Sequence, residues 1–227
     1  MSEFAKLPKR SWWSTNLGIA TLVIGAVLLA GSALFVFRSS FRLFSIPADS
    51  MEPLLKVGDR ITADMWSKEP VERGDVVMVA AKRSPYIKRI VGLPGDRIAL
   101  VDGVPTINGT ALIQNLVRTD TAKEYGRDRR PMRIFKEVLP DGKVSYLVAD
   151  LGPSPYDTFA EVTVPAGHYF LLGDNRDYSV DSRISEAQMG LGMVEQYRIY
   201  GKARSIVWRT GAGLVSLPIQ PDTASGS

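Results

Sequence analysis

A serine hydroxyl attacks a carbonyl carbon only if a base takes its proton as it does so. The chain has no cysteine and a single histidine, His168. A thiol nucleophile is therefore excluded, and an imidazole base has one candidate. His168 opens the run HYFLL next to a glycine, where an exposed strand-end position fits it better than catalysis. Ser50 lies between Pro47 and Pro53 and beside the apolar Met51. A rigid turn of that kind can present a hydroxyl at fixed geometry, although a loop serine more commonly caps or turns the chain. Lys88 stands in the run YIKRIVGLPGD. As a strand, this run places Tyr86, Lys88 and Ile90 on one face and turns Arg89 the other way, as a surface charge. A lysine among large hydrophobes is either a snorkelling edge residue or a desolvated amine with a lowered pKa. In the second case it is a competent general base near neutral pH, and Ser50 with Lys88 forms a Ser-Lys dyad. A third segment, GDNRDYSVDSR (Gly173 to Arg183), follows HYFLL directly. Charges of both signs at this density fit either a polar surface loop or a hydrogen-bonded network that fixes a site.

The elements that must position these residues are of two kinds. Leu17 to Phe37 is an uncharged apolar run, and about 20 residues suffice to cross a hydrocarbon core roughly 30 Å thick. It is too long for the apolar region of a cleaved leader. Trp12 and Trp13 precede it, where interfacial aromatics belong. Lys6, Lys9 and Arg10 lie before it, and Arg38 and Arg42 after it. The excess of positive charge on the N-terminal side predicts residues 1–16 in the cytoplasm, a transmembrane helix over 17–37, and residues 38–227 on the extracytoplasmic face.

Beyond Phe37 helical periodicity disappears. Short runs rich in β-branched and aromatic residues alternate with turn signals: DRITAD, GDVVMVAA, YIKRIVGL, DRIALVDG, VSYLVAD, EVTVPAG, HYFLLGD and GKARSIVW. They predict a mainly β, antiparallel domain. Residues from about 102 to 165 carry strands of their own, several prolines and the basic residues Arg127, Arg129, Arg130 and Arg133, as expected of an inserted smaller β subdomain with a solvated basic loop. Asn108-Gly109 reads as a hairpin turn. Gly92 to Asp96 is a tight turn, since the Lys-Ser/Thr of a phosphate loop is missing. The polar tail from Gln220 to Ser227 is expected to fray.

Composition limits the alternatives. Of 227 residues, 45 % are hydrophobic and 23 % charged, and the net charge is +4. This describes a folded chain with a core. The surplus positive charge suits anionic lipid headgroups better than a nucleic-acid surface, which needs a basic stripe. With one histidine and no cysteine, a zinc site is not expected.

Taken together, SMEP with VGD (Ser50 to Asp59), RGDVVMV (Arg73 to Val79), YIKRIVGLPGD, GDNRDYSVDSR and GKARSIVW (Gly201 to Trp208) resemble the type I signal peptidases, in the family's order and behind a single apolar segment. The resemblance covers most of residues 44–101 and 168–208. It implies a membrane-anchored serine endopeptidase that removes N-terminal signal peptides from translocated preproteins, with no metal or cofactor. It implies that Ser50 is the nucleophile and Lys88 the base. Ser179 would hydrogen-bond and orient the lysine, and Asp181 and Arg183 would brace the network. Phe44, Ile46, Leu55, Ile61, Tyr86 and Ile87 would line shallow apolar subsites with an Ala-x-Ala-like preference. The implied partners are preprotein signal peptides and membrane lipid, not nucleic acid, and a monomer is expected. The chain departs from the family pattern at Ala48, Asp49, Leu54 and Tyr178, which bears on the oxyanion hole and on substrate preference. Two alternatives stand beside this reading: a relative dedicated to one substrate, and a catalytically silent scaffold on the same fold. The presence of both Ser50 and Lys88 counts against the second.

Overall fold

A computed structural model of the chain describes residues 12–65, 69–81, 84–121, 130–219 and 222–223. The chain divides at Ser40/Phe41 into two compact units.

The first unit carries helix α1 (Trp12–Ser40), which contains the expected span 17–37. Side chains are described for residues 18–32 of it, and Ile19, Leu22, Val23, Ile24, Val27, Leu28 and Leu29 are exposed. Among the described residues no helix is long and apolar enough to cross a membrane.

The second unit is built of antiparallel strands: β1 (Phe41–Ser45), β2 (Arg60–Asp64), β3 (Val76–Val79), β4 (Tyr86–Gly92), β5 (Arg97–Val101), β6 (Val104–Ile107), β7 (Thr110–Ala111), β8 (Ile113–Thr121), β9 (Pro131–Val138), β10 (Val144–Asp150), β11 (Phe159–Thr163), β12 (His168–Leu172), β13 (Val194–Glu195), β14 (Ile199–Arg209), β15 (Gly213–Pro218) and β16 (Asp222–Thr223). One sheet runs β1-β2-β14-β3-β4-β12-β13, with β15 beside β14. A second runs β16-β10-β9-β8 and a third β11-β5-β6-β7. Strands β3 and β12 read as unbroken apolar runs because they lie inside the first sheet, with almost every residue buried. Strands β2 and β5 alternate, as strands with one wet face do.

Turn chemistry sets the junctions. Asn108 and Gly109 both take positive φ, at 53° and 83°, the conformation required by the tight turn that joins β6 to β7. Gly95, at φ 89°, turns β4 into β5.

The cores tie the sheets together. Val91, Ile98, Phe170 and Leu172 pack in one buried cluster with Leu112, Leu139, Tyr146 and Val148, so strands of the 102–165 stretch share apolar contacts with the first sheet. A second cluster gathers Ile46, Met51, Leu55, Ile61, Val76, Met78, Ala203 and Ile206, beneath the loop that carries Ser50.

Three expectations do not hold. Arg89 is not a surface charge: it is 2 % exposed. Strand β4 is flanked by β3 and β12 and covered on both faces, so alternation along it does not lead to water. The tail does not fray throughout: Asp222 and Thr223 pair with Ser145 and Val144 on the edge of β10, where unpaired backbone groups accept a partner whatever its side chains. Part of the basic loop is also strand. Arg133 lies in β9 and pairs with Asp150 at 2.8 Å, whereas Arg127 and Arg129 lie outside the described residues.

Candidate active site

Ser50 sits in a turn between β1 and β2. The Glu52 N–H donates to the Asp49 carbonyl at 2.9 Å, and the Leu55 N–H to the Met51 carbonyl at 2.9 Å. Met51 and Leu55 are buried and anchor the turn in the cluster below. From the other side Asn175 grips it: its backbone N–H donates to the Ser50 carbonyl at 3.2 Å and its Nδ2 to the Asp49 carbonyl at 3.3 Å. Gly173 makes this approach possible. A Cβ there would lie 2.6 Å from the Ser50 carbonyl oxygen and 2.2 Å from Ser179 Oγ.

Lys88 enters from the middle of β4, opposite Val77 of β3. Its Nζ donates to Ser50 Oγ at 2.8 Å and to the Ile87 carbonyl at 3.1 Å, and lies 5.5 Å from the centre of the Tyr86 ring. The side chain is 1 % exposed, so this lysine does not snorkel. Burial pushes its pKa down from an ordinary 10.5 to about 8; the carboxylates of Asp181 and Asp174 pull it back up, and Arg183 adds to the lowering. A useful fraction is thus neutral near pH 7–8. A neutral amine 2.8 Å from a hydroxyl can accept its proton.

The loop after β12 supplies a buried, charge-balanced frame. Asp181 accepts from Arg183 Nε and Nη2, each at 2.9 Å, and from the Gly173 N–H at 3.1 Å. Arg89 Nε and Nη2 donate to the two Asp174 oxygens at 2.7 and 2.6 Å, and the guanidinium stacks 4.2 Å from the Tyr146 ring centre. Glu137, fully buried, accepts from the Tyr146 hydroxyl at 2.8 Å, Arg176 Nη2 at 2.6 Å and Gln114 Nε2 at 2.8 Å. The polar segment is thus a network that joins the strand next to the lysine to the second sheet, not a surface loop.

The hydrogen bond expected from Ser179 to Lys88 is not made. Ser179 Oγ is buried and has no hydrogen-bond partner; it packs against Gly173, while Lys88 Nζ is engaged by Ser50 and Ile87. Of the expected subsite residues, Ile46, Leu55 and Ile61 are buried in the cluster under Ser50, and Phe44 and Ile87 pack on it half-buried. Tyr86 belongs to a different cluster, with Val77 and Ile90. His168 is half-buried at the start of β12, with Nδ1 3.0 Å from the Ala166 carbonyl. It lines a cleft of about 1000 Å³ with Glu195 and Lys202, and neither Ser50 nor Lys88 lines that cleft. Among the described residues no group of three or more His, Asp or Glu side chains is placed to hold a metal ion.

Sequence reasoning misses Glu137, Tyr146 and Gln114. Nothing local marks them, because their partners are distant in the chain. Asn175 and Arg176 are signalled only through the density of polar residues around them.

Residues 17–208 match the family described as Signal peptidase, peptidase S26. Similar proteins include the signal peptidase I of Rickettsia prowazekii (strain Madrid E), 39 % identical over 155 residues, which make up 64 % of this chain and 55 % of that protein. The signal peptidase I of Rickettsia akari (strain Hartford) is 30 % identical over 241 residues, 92 % of this chain and 83 % of that one. That of Rickettsia bellii (strain OSU 85-389) is 31 % identical over 215 residues, 81 % and 71 %. The first of these matches spans little more than half the length of the relative. With the match extending from α1 through β14 and taking in Ser50, Lys88 and the frame around them, the chain belongs to the signal peptidase family, peptidase S26.

Proposed function

We propose that the chain is a serine endopeptidase that removes N-terminal signal peptides from translocated preproteins, with Ser50 as nucleophile and Lys88 as general base. The observation that carries this reading is the 2.8 Å contact between Lys88 Nζ and Ser50 Oγ, made by a lysine buried in an apolar setting. Neutral Lys88 takes the Ser50 proton as Oγ adds to the scissile carbonyl. The same proton then passes to the departing amine, and the acyl-enzyme is hydrolysed by a water that Lys88 deprotonates. Negative charge grows on the carbonyl oxygen during attack, and the Ser50 backbone N–H is one donor for it. Ser179, whose buried hydroxyl beside Gly173 has no other hydrogen-bond partner, is the residue assigned to orient the lysine. Asp181 and Arg183 hold the backbone around it. Phe44 and Ile87 form the rim, and Ile46, Leu55 and Ile61 the floor, of a surface that accepts small side chains at the first and third positions before the cut. Tyr86 shields the lysine from water.

The apolar, uncharged sequence of Leu17 to Phe37 and the exposed apolar side chains along α1 support anchoring in the plasma membrane by a single span, with the N-terminus cytoplasmic and the peptidase unit outside. Incubation of the detergent-solubilised chain with one preprotein, in parallel with Ser50→Ala, tests the activity. A new N-terminus at an Ala-x-Ala-like site, formed only by the wild type and identified by mass spectrometry, is expected. No cleavage by the folded wild type would overturn the reading.

A further inference from the structure

Asn175 touches the backbone on both sides of the nucleophile. Its Nδ2 donates to the Asp49 carbonyl at 3.3 Å, which also accepts from the Glu52 N–H at 2.9 Å. Its backbone N–H donates to the Ser50 carbonyl at 3.2 Å. We propose that Asn175 is a positioning residue for the oxyanion: its side chain fixes the peptide unit between Asp49 and Ser50 so that the Ser50 N–H is aimed at the carbonyl oxygen of the bond being cut. The inference rests on the activity proposed above and deepens it.

A peptide unit is planar and trans, so its C=O and its N–H point in opposite directions. The Asp49 carbonyl points at Asn175 and Glu52, and the Ser50 N–H of the same unit therefore points away from them. Among the described residues no backbone carbonyl is paired with that N–H, and Ser50 is half-buried, so the donor is free to meet a substrate. Hydrogen bonds at the carbonyl end polarise the unit and strengthen its N–H as a donor. The bond from the Asn175 N–H holds the next unit, so one residue sets both planes that flank the nucleophile. Ala48, two positions before Ser50, ends in a methyl group and adds no side-chain donor, which leaves more of the task to the Ser50 N–H.

Asn175 is itself firmly placed. It is 1 % exposed and forms a parallel bridge with Ala149 of β10. Asp174 before it is bound to Arg89, and Arg176 after it to Glu137, each at 2.6 Å and buried. The charged frame thus holds the asparagine from both sides and, through it, the donor. The side chain itself adds little to stability. Its one hydrogen bond is long, and Oδ1 is buried without a partner, which costs free energy. For stability alone an apolar side chain of the same shape would serve at least as well.

The full-length enzyme in detergent, one signal peptide as substrate and two inhibitors with the sequence before the cut test this: a peptide aldehyde and the matching peptide alcohol. Ser50 Oγ adds to the aldehyde carbon, the C=O opens to an oxyanion and Lys88 takes the serine proton, so this adduct needs the donor, as the transition state does. The alcohol binds without it. Asn175→Ala removes Nδ2 and keeps the backbone N–H on Ser50; Asn175→Asp keeps the shape and removes the donor. In both, kcat should fall at least about 10-fold, toward the roughly 100- to 1000-fold that a lost oxyanion donor costs, with KM within about 2-fold of wild type. The Ki of the aldehyde should rise by a similar factor and that of the alcohol should change less than about 2-fold. The acidic limb of the pH–rate profile should not move, because Lys88 keeps its contact with Ser50. Wild-type kcat in either variant, or aldehyde and alcohol binding weakened equally, would overturn the inference. So would a variant too unstable to bind the alcohol, which would place the residue in the fold and not in the reaction. Absence of cleavage by the wild type would overturn the peptidase reading itself.

Discussion

Lys88 Nζ lies 2.8 Å from Ser50 Oγ across 38 positions of sequence, and each residue is held by a different support. Ser50 rides on a turn clamped between a buried apolar cluster and Asn175; Lys88 rides on a strand inside the sheet. The contact depends on both supports, so disturbances at either should reach the chemistry.

The two residues should act as one unit. Ser50→Ala and Lys88→Ala should each lower kcat by orders of magnitude, and the double variant should be little worse than either, since members of one catalytic unit are not additive. Lys88→Arg should not restore activity, because arginine stays protonated. Single-turnover cleavage of a signal peptide by the four variants checks this; multiplicative losses would mean that the residues act independently.

Gly173→Ala should separate folding from catalysis. The added Cβ would meet Ser179 Oγ at 2.2 Å and the Ser50 carbonyl oxygen at 2.6 Å, so the turn must shift relative to Lys88, and a misplacement of about 1 Å can cost roughly 100-fold in rate. The variant should keep its β-type circular dichroism and lose activity on that scale. Wild-type kcat would show that the turn is free to move without consequence.

The buried Glu137 should matter to stability far more than exposed pairs do. Glu137→Gln leaves the guanidinium of Arg176 buried without its carboxylate partner, at a cost of about 3–5 kcal/mol. Tyr146→Phe, which removes one donor to Glu137, should cost about 1–3 kcal/mol. Arg97→Ala breaks only an exposed contact of 3.6 Å with Glu161 and should cost less than about 1 kcal/mol. Urea unfolding of the three variants gives the order, and equal losses in Glu137→Gln and Arg97→Ala would contradict it.

Stability should also report the lysine. The native side chain loses its proton near pH 8, the unfolded one near 10.5. Between these values the unfolded chain binds more protons, so stability rises with pH there. The penalty for the buried charge is fully present below pH 8 and is relieved by about pH 10.5. At about 1.4 kcal/mol per pKa unit, the gain relative to Lys88→Met, which lacks this titration, is roughly 3 kcal/mol. Urea midpoints of both proteins from about pH 7 to 10.5 measure it; a difference that does not vary with pH would contradict a depressed lysine pKa.

Much of this arrangement is legible in the amino-acid sequence. Apolar runs such as VVMV and HYFLL mark themselves as strands because strands inside a sheet need no alternation, and Ser50 pairs with Lys88 because no cysteine competes as nucleophile and the one histidine is the only imidazole base. Strands β8 and β9 are not legible: IQNLVRTDT and PMRIFKEV mix charges with hydrophobes, and it is their pairing with each other, and of β9 with β10, that makes them strands. Alternation misplaces Arg89 because it assigns a face but does not say whether water is there. Glu137 looks like any strand carboxylate until Tyr146, Arg176 and Gln114 converge on it in three dimensions. The Ser179 contact is implied by resemblance, whereas the packing of its hydroxyl against Gly173 depends on how closely two loop segments approach, which no local pattern encodes.

The pH dependence of kcat/KM for one signal peptide tests the dyad most directly. Only the neutral lysine accepts the Ser50 proton, so the rate should rise with pH along an acidic limb centred near 8, and the limb should stay in place in His168→Gln. A limb near pH ~6.5, the ordinary range of histidine, that shifts or disappears in His168→Gln would show that Lys88 is not the base.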